Sequence, residues 1–223
     1  MRALTPFEAR VLATLMEKAR TVPDSYPLSL NTLVLGCNQK TSRDPVMDMS
    51  EQQALEAIAG LKTLSLVFEA SSSRVPRFEH NLQRGLQVSE PQAVLLGLLM
   101  LRGPQTPGEL RLAGERWYRF ADIASVEDAL AELKQRGDEG GAALVAQLPR
   151  APGMREQRWT HLLCGADATA MPAHSSSAAR DEEPVSLGQA ERLVRRIEQL
   201  EAQVEALQSQ LAFIQKELGV SQA

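Results

Sequence analysis

Two nine-residue phrases in this chain, RVPRFEHNL from Arg74 and REQRWTHLL from Arg155, share arginine at the first and fourth positions, an aromatic at the fifth, histidine at the seventh and leucine at the last. Those residue types suit three kinds of chemistry. Arginine grips phosphate, histidine ligates metal, and alternating apolar side chains finish a small sheet. Metal binding is the weakest of the three, because the histidines are far apart and no cysteine or carboxylate pattern accompanies them. No cofactor is expected. In an extended segment Phe78, His80 and Leu82 share one face, as do Trp159, His161 and Leu163, and these residues are expected to close a core. Arg77 and Arg158 point the other way, while Arg74 and Arg155 lie nearer a turn. With Arg84 and Arg150 close by, these arginines are the candidate ligands of phosphate or of the minor groove.

A second candidate lies in YPLSLNTLVLGCNQKTSRDPVM, from Tyr26 to Met47. Between a short apolar helix and the next one, the stretch from Asn38 to Met49 is far longer than a helix-turn-helix turn. It carries Lys40 and Arg43 as candidate anion ligands. Its Asn, Asp and Pro residues equally suit a loop whose only task is to shape the backbone.

The elements around these residues form a repeat with a period near 80. Each copy opens on a capping box, TPFE at Thr5 and SEPQ at Ser89, followed by an apolar helical stripe. A short second helix follows at Ser29–Cys37 and at Thr106–Trp117. The third starts at Ser50 and at Ser125, with Ala54, Leu55, Ile58 and Leu61 expected to be buried in one copy and Ala129, Leu130 and Leu133 in the other. Two strand-like runs then close each copy around turn-forming residues. Three helices and a β-hairpin make a winged helix. The expected fold is therefore mainly α with small β-hairpins (α+β), with winged-helix domains at 1–84 and 85–165.

From Gly165 the composition turns to Ala, Ser and charge, which predicts a flexible linker over 166–185. Over 186–219, Leu193, Ile197, Leu200, Val204, Leu207, Leu211, Ile214 and Leu218 alternate at spacings of four and three. With Ile197, Val204, Leu211 and Leu218 at a and Leu193, Leu200, Leu207 and Ile214 at d, β-branched residues at two a positions and leucine at most d positions favour a parallel two-stranded coiled coil, and hence a homodimer. The other reading is a single helix folding back on its own domain.

Composition narrows the class. Cys37 and Cys164 form no motif, no signal peptide is evident, and the most apolar run, Ala93–Leu101, is too short to cross a bilayer. A cytoplasmic protein with no membrane partner is expected. Residues 1–84 hold ten Lys and Arg against nine Asp and Glu, and residues 85–165 hold nine against ten. Neither is the basic body of a protein held to nucleic acid by charge alone. The third helices present Glu51, Glu56, Glu127, Asp128 and Glu132, which suit helix N-termini and repel phosphate.

The Tyr26–Met47 stretch and the two phrases resemble the YceH-like family of bacterial tandem winged-helix proteins. The resemblance covers roughly residues 4–165 and implies that fold in a bacterial cytoplasm. It brings no catalytic or binding residues with it.

No nucleophile elbow, phosphate loop, dinucleotide fingerprint or zinc-protease motif is present, so an enzyme is not expected. Two functions remain. The favoured one is a DNA-associated regulator touching phosphate through Arg74, Arg77, Arg155, Arg158, Lys40 and Arg43. The other is a protein-interaction scaffold built on the acidic third helices.

Overall fold

The computed structural model describes residues 2–70, 75–137, 142–150, 154 and 156–165. All fall within one compact unit, Met1–Ala173. Arg74, Arg155, the expected linker and the whole heptad seam from Leu193 to Leu218 lie outside the described residues.

Among the described residues there are seven α-helices and two small antiparallel sheets. In chain order they are α1 (Pro6–Thr21), β1 (Leu28–Ser29), α2 (Leu30–Cys37), α3 (Glu51–Thr63), β2 (Val67–Ala70), β3 (Arg77–His80), α4 (Leu82–Leu86), α5 (Glu90–Arg102), α6 (Pro107–Gly114), α7 (Ile123–Gln135), β4 (Val145–Gln147) and β5 (Trp159–His161). Three helices and two strands in succession thus occur twice, at α1-α2-α3-β2-β3 and at α5-α6-α7-β4-β5.

The caps explain where helices begin. The Thr5 hydroxyl accepts the Glu8 backbone N–H at 3.1 Å while the Glu8 carboxylate accepts that of Thr5 at 2.7 Å. Ser50 with Gln53 and Thr106 with Glu109 repeat the exchange, so orphan N–H groups at three helix starts are satisfied locally. For α7 the structure corrects the expected start. Asp122 is the cap, accepting from the Ser125 backbone at 2.8 Å, and Ser125 is the third-position partner. In α3 the buried face is Ala54, Ala57, Ile58 and Leu61, whereas Leu55 is exposed, one residue round the helix from Ala54.

Helix α5 is the centre of the unit. Every residue from Gln92 to Leu101 is buried, so it must be enclosed on all sides. Helix α1 covers one side, and α6, α7 and β5 cover others. The crossing is close because Gly97 has no side chain. A Cβ there would lie 2.7 Å from Trp117 Cζ3 and 3.1 Å from Met16 Cε. Gly97→Val is therefore expected to cost about 1–3 kcal/mol by overpacking, read as a lower urea midpoint at unchanged slope.

The sheets repeat the same arrangement. In the first, β3 lies between β1 and β2, with Leu28 opposite Phe78 and Val67 opposite His80. In the second, β5 pairs with β4, Val145 opposite His161. On the other side of β5 the single residue Gln105 takes the place of β1, exchanging backbone hydrogen bonds with Trp159 at 3.0 and 2.7 Å. Phe78 and Trp159 thus hold equivalent, buried positions in the two hairpins. Leu82, expected on the strand face with them, is buried at the first position of α4 instead.

The halves are tied together at several points. The Leu4 N–H donates to Leu163 O at 2.8 Å, and Asp44 N–H to Leu101 O at 2.8 Å. Between α4 and α5 the Arg136 guanidinium, at the end of α7, donates to Leu86 O and Gln87 O at 2.9 and 2.8 Å, satisfying carbonyls that a helix end leaves open.

Candidate interaction surfaces

The two fourth-position arginines do the same thing in each copy. Arg77 donates through Nη1 to Pro27 O at 2.8 Å, and Arg158 through Nη1 to Pro104 O at 2.7 Å. Each arginine therefore pins its returning strand to the segment that leads into the second helix. Arg158 also pairs with Glu109 at 2.7 Å. Both side chains are half-buried, with part of each guanidinium engaged within the fold.

Arg43 departs furthest from its expected place in an exposed loop. Its side chain is 0 % exposed. The guanidinium donates to both carboxylate oxygens of Glu17, to Gly36 O at 2.9 Å and to Gln39 Oε1 at 3.0 Å. Burial alone would push the Glu17 carboxyl up, but the Arg43 hydrogen bonds and charge, with Lys18 beside it, hold it below its ordinary value. Arg10, in the middle of α1, is a second buried guanidinium, hydrogen-bonded to Cys37 O at 3.1 Å and to Pro45 O. Burial, with Arg43 close by, lowers its pKa to about 10. Asn38 closes the loop by exchanging hydrogen bonds of 2.8 Å each way with the Met49 backbone. The loop from Asn38 to Met49 is thus built inward around Arg43, and of its two basic residues only Lys40 is exposed.

Two solvent-facing features are not singled out by sequence reasoning. The exposed Arg116 and Arg119 lie in the connection between α6 and α7 and enter no ion pair among the described residues. Leu35 on α2 and Leu112 on α6 are 65 % and 72 % exposed, each six residues after the N-cap of its helix, Ser29 or Thr106. Counting from the caps would have matched these leucines across the repeat. On the third helices, Gln52 is engaged with Glu56 at 2.8 Å, while Glu127 and Asp128 carry no partner among the described residues. An open groove runs between α7 and the β4–β5 hairpin. Ile123, Glu127, Asp128 and Ala131 line the helix side, and Gln147, Arg150, Glu156, Gln157 and Trp159 the hairpin side.

The histidines of the repeated phrase face inward. Burial pushes both His80 and His161 down to about 4, with the Arg20 charge adding to the effect at His80. Neither Nδ1 has a hydrogen-bond partner among the described residues. Because both folded-state values lie below the unfolded one near 6.5, the native state binds fewer protons. The stability tied to these rings is present above about pH 6.5 and is lost as pH falls towards 4, at roughly 3 kcal/mol for each ring when fully expressed. Urea midpoints at pH 7 and 4.5 are expected to differ, and His80→Gln with His161→Gln to reduce that difference. Equal pH dependence in the double variant would contradict the assignment. Burial also raises the Cys37 and Cys164 thiols to about 11, which makes them poor nucleophiles.

The class defined so far is a mixed α/β protein in which one order of helices and strands occurs twice. The chain belongs to the family described as "Protein of unknown function, DUF480", which matches residues 4–154. It is 74 % identical over 228 residues to a UPF0502 protein of Polaromonas naphthalenivorans (strain CJ2), covering 100 % of both chains. A UPF0502 protein of Polaromonas sp. (strain JS666) is 67 % identical over 183 residues, covering 82 % of this chain and 78 % of the relative. One of Verminephrobacter eiseniae (strain EF01-2) is 58 % identical over 220 residues, covering 99 % and 89 %. The resemblance to the YceH-like family is consistent with this membership.

Proposed function

We propose that the chain is a non-enzymatic tandem winged-helix protein that works as a protein-interaction scaffold in the bacterial cytoplasm, self-associating through the heptads of its tail. The observation that carries the reading is the engagement of the wing and loop arginines. Arg43 spends its guanidinium on Glu17, Gly36 O and Gln39, and Arg77 and Arg158 each commit part of theirs, to Pro27 O in one case and to Pro104 O and Glu109 in the other. A phosphate contact from Arg43 requires giving up internal hydrogen bonds, and one from Arg77 or Arg158 is restricted to the N–H groups that their internal bonds leave over. Glu127 and Asp128 of α7, without partners among the described residues, also oppose an approaching phosphate. The matched leucines, Leu35 and Leu112, offer apolar surface that the fold does not use.

Affinity capture with the full chain from nuclease-treated bacterial lysate tests the scaffold. A stoichiometric protein that survives nuclease supports it, and loss of all bound material on nuclease treatment overturns it. A second reading, DNA contact, is favoured by exposed Lys40, Arg116 and Arg119. Anisotropy titration with random duplex in low salt is the arm that detects it, since even non-specific binders register at micromolar protein.

A further inference from the structure

We infer that the groove between α7 and the β4–β5 hairpin takes a segment of a partner protein that presents Lys or Arg next to an apolar side chain. The inference rests on the scaffold reading and gives it a site. Three features of the groove point to such an occupant.

Its floor has apolar surface beyond what the core uses. Ile123 is 47 % exposed in the first turn of α7, where α3 carries Glu51, and it lines the groove with Ala131 and Trp159. An apolar side chain seated there would remove Ile123 from water. Its helix-side rim carries two adjacent carboxylates, Glu127 and Asp128, both exposed and both without a hydrogen bond or ion pair among the described residues. Elsewhere on α7 the next carboxylate, Glu132, is already engaged by Gln92 at 2.7 Å. Two free neighbouring anions beside an apolar floor are complementary to a cation next to a hydrophobe, and they repel phosphate. The opposite wall supplies Glu156, a third carboxylate for the segment's cations, and Arg150, which suits a carbonyl or carboxylate of the same segment. The groove therefore carries three carboxylates to one guanidinium, a balance that favours a cationic segment.

The probes are three fluorescein-labelled peptides, GSKRLKRSG, GSKRGKRSG and GSEELEESG, titrated by anisotropy with the full-length chain in 0.15 M salt. The leucine peptide is expected to bind at least threefold more tightly than the glycine peptide, and the acidic peptide not at all. Glu127→Lys combined with Asp128→Lys is expected to weaken the leucine peptide at least tenfold. Ile123→Glu should erase the advantage of leucine over glycine. All three substitutions are at exposed positions, and unaltered thermal melting verifies that the variants fold. Equal binding of the leucine and glycine peptides means charge attraction only, and overturns the site. So does binding that is unchanged when both carboxylates are replaced, or no binding of the leucine peptide. If the site fails in this way while nuclease-resistant capture persists, the scaffold reading stands without this groove. If capture fails as well, both fall.

Discussion

Glu17→Ala is expected to destabilise the fold by about 3–5 kcal/mol, because it takes from a buried guanidinium the carboxylate that it grips. Arg43 is fully enclosed, and Glu17 is the carboxylate it grips with two nitrogens. Arg10, a second cation, lies close enough to be lowered by Arg43 and adds to the imbalance once the carboxylate is gone. Lys18 reaches Glu17 at 3.2 Å and loses its partner too. Arg43→Met should cost less, since Glu17 keeps Lys18 and solvent access. The double variant Glu17→Ala with Arg43→Met should recover stability relative to Glu17→Ala alone, because the cation that loses its carboxylate in the first change is removed by the second. Urea unfolding of the four proteins closes the cycle. A loss below about 1 kcal/mol in Glu17→Ala would show that the loop from Asn38 to Met49 does not depend on this pair.

The second large effect is expected at the two hairpins. Phe78→Ala and Trp159→Ala should each cost about 3–5 kcal/mol, the range for deleting a buried aromatic. Both rings are buried on the returning strand, one facing Leu28 across the sheet and the other Gln105. The matching positions imply matching losses. A loss below about 1 kcal/mol at one position and a full loss at the other would mean that the repeated phrase is a coincidence of sequence.

The repeat itself is legible because its signals are local and periodic. Hydroxyl-to-Glu or hydroxyl-to-Gln spacings mark the starts of α1, α5 and α6, and the alternation of Phe78 with His80 and of Trp159 with His161 marks the inner faces of β3 and β5. The candidate site is much less legible. Arg43 sits in a polar run that reads as exposed loop, and nothing within that run signals a partner twenty-six residues earlier in α1. Arg10 interrupts an apolar stripe without breaking its period, so its burial leaves no trace. Alternation puts Arg77 and Arg158 on the correct face of their strands, but the carbonyls that engage them, Pro27 O and Pro104 O, come from distant segments. Side-chain pairing across such separations is set by packing, which periodicity does not record.

The hydrogen bond from Leu4 to Leu163 places the first described residues beside the last, with a Cβ on Gly165 only 3.8 Å from that of Ala3. Removing the residues beyond Gly165, joining Gly165 to the N-terminal residues through a short glycine bridge and reopening the backbone at another surface turn should therefore give a permuted chain with its interior intact. Cutting between α4 and α5 to express the second half alone has the opposite consequence. That fragment lacks both the N-terminal residues that dock beside β5 and the helix that shields α5, so it is expected to precipitate unless the first half is supplied in trans.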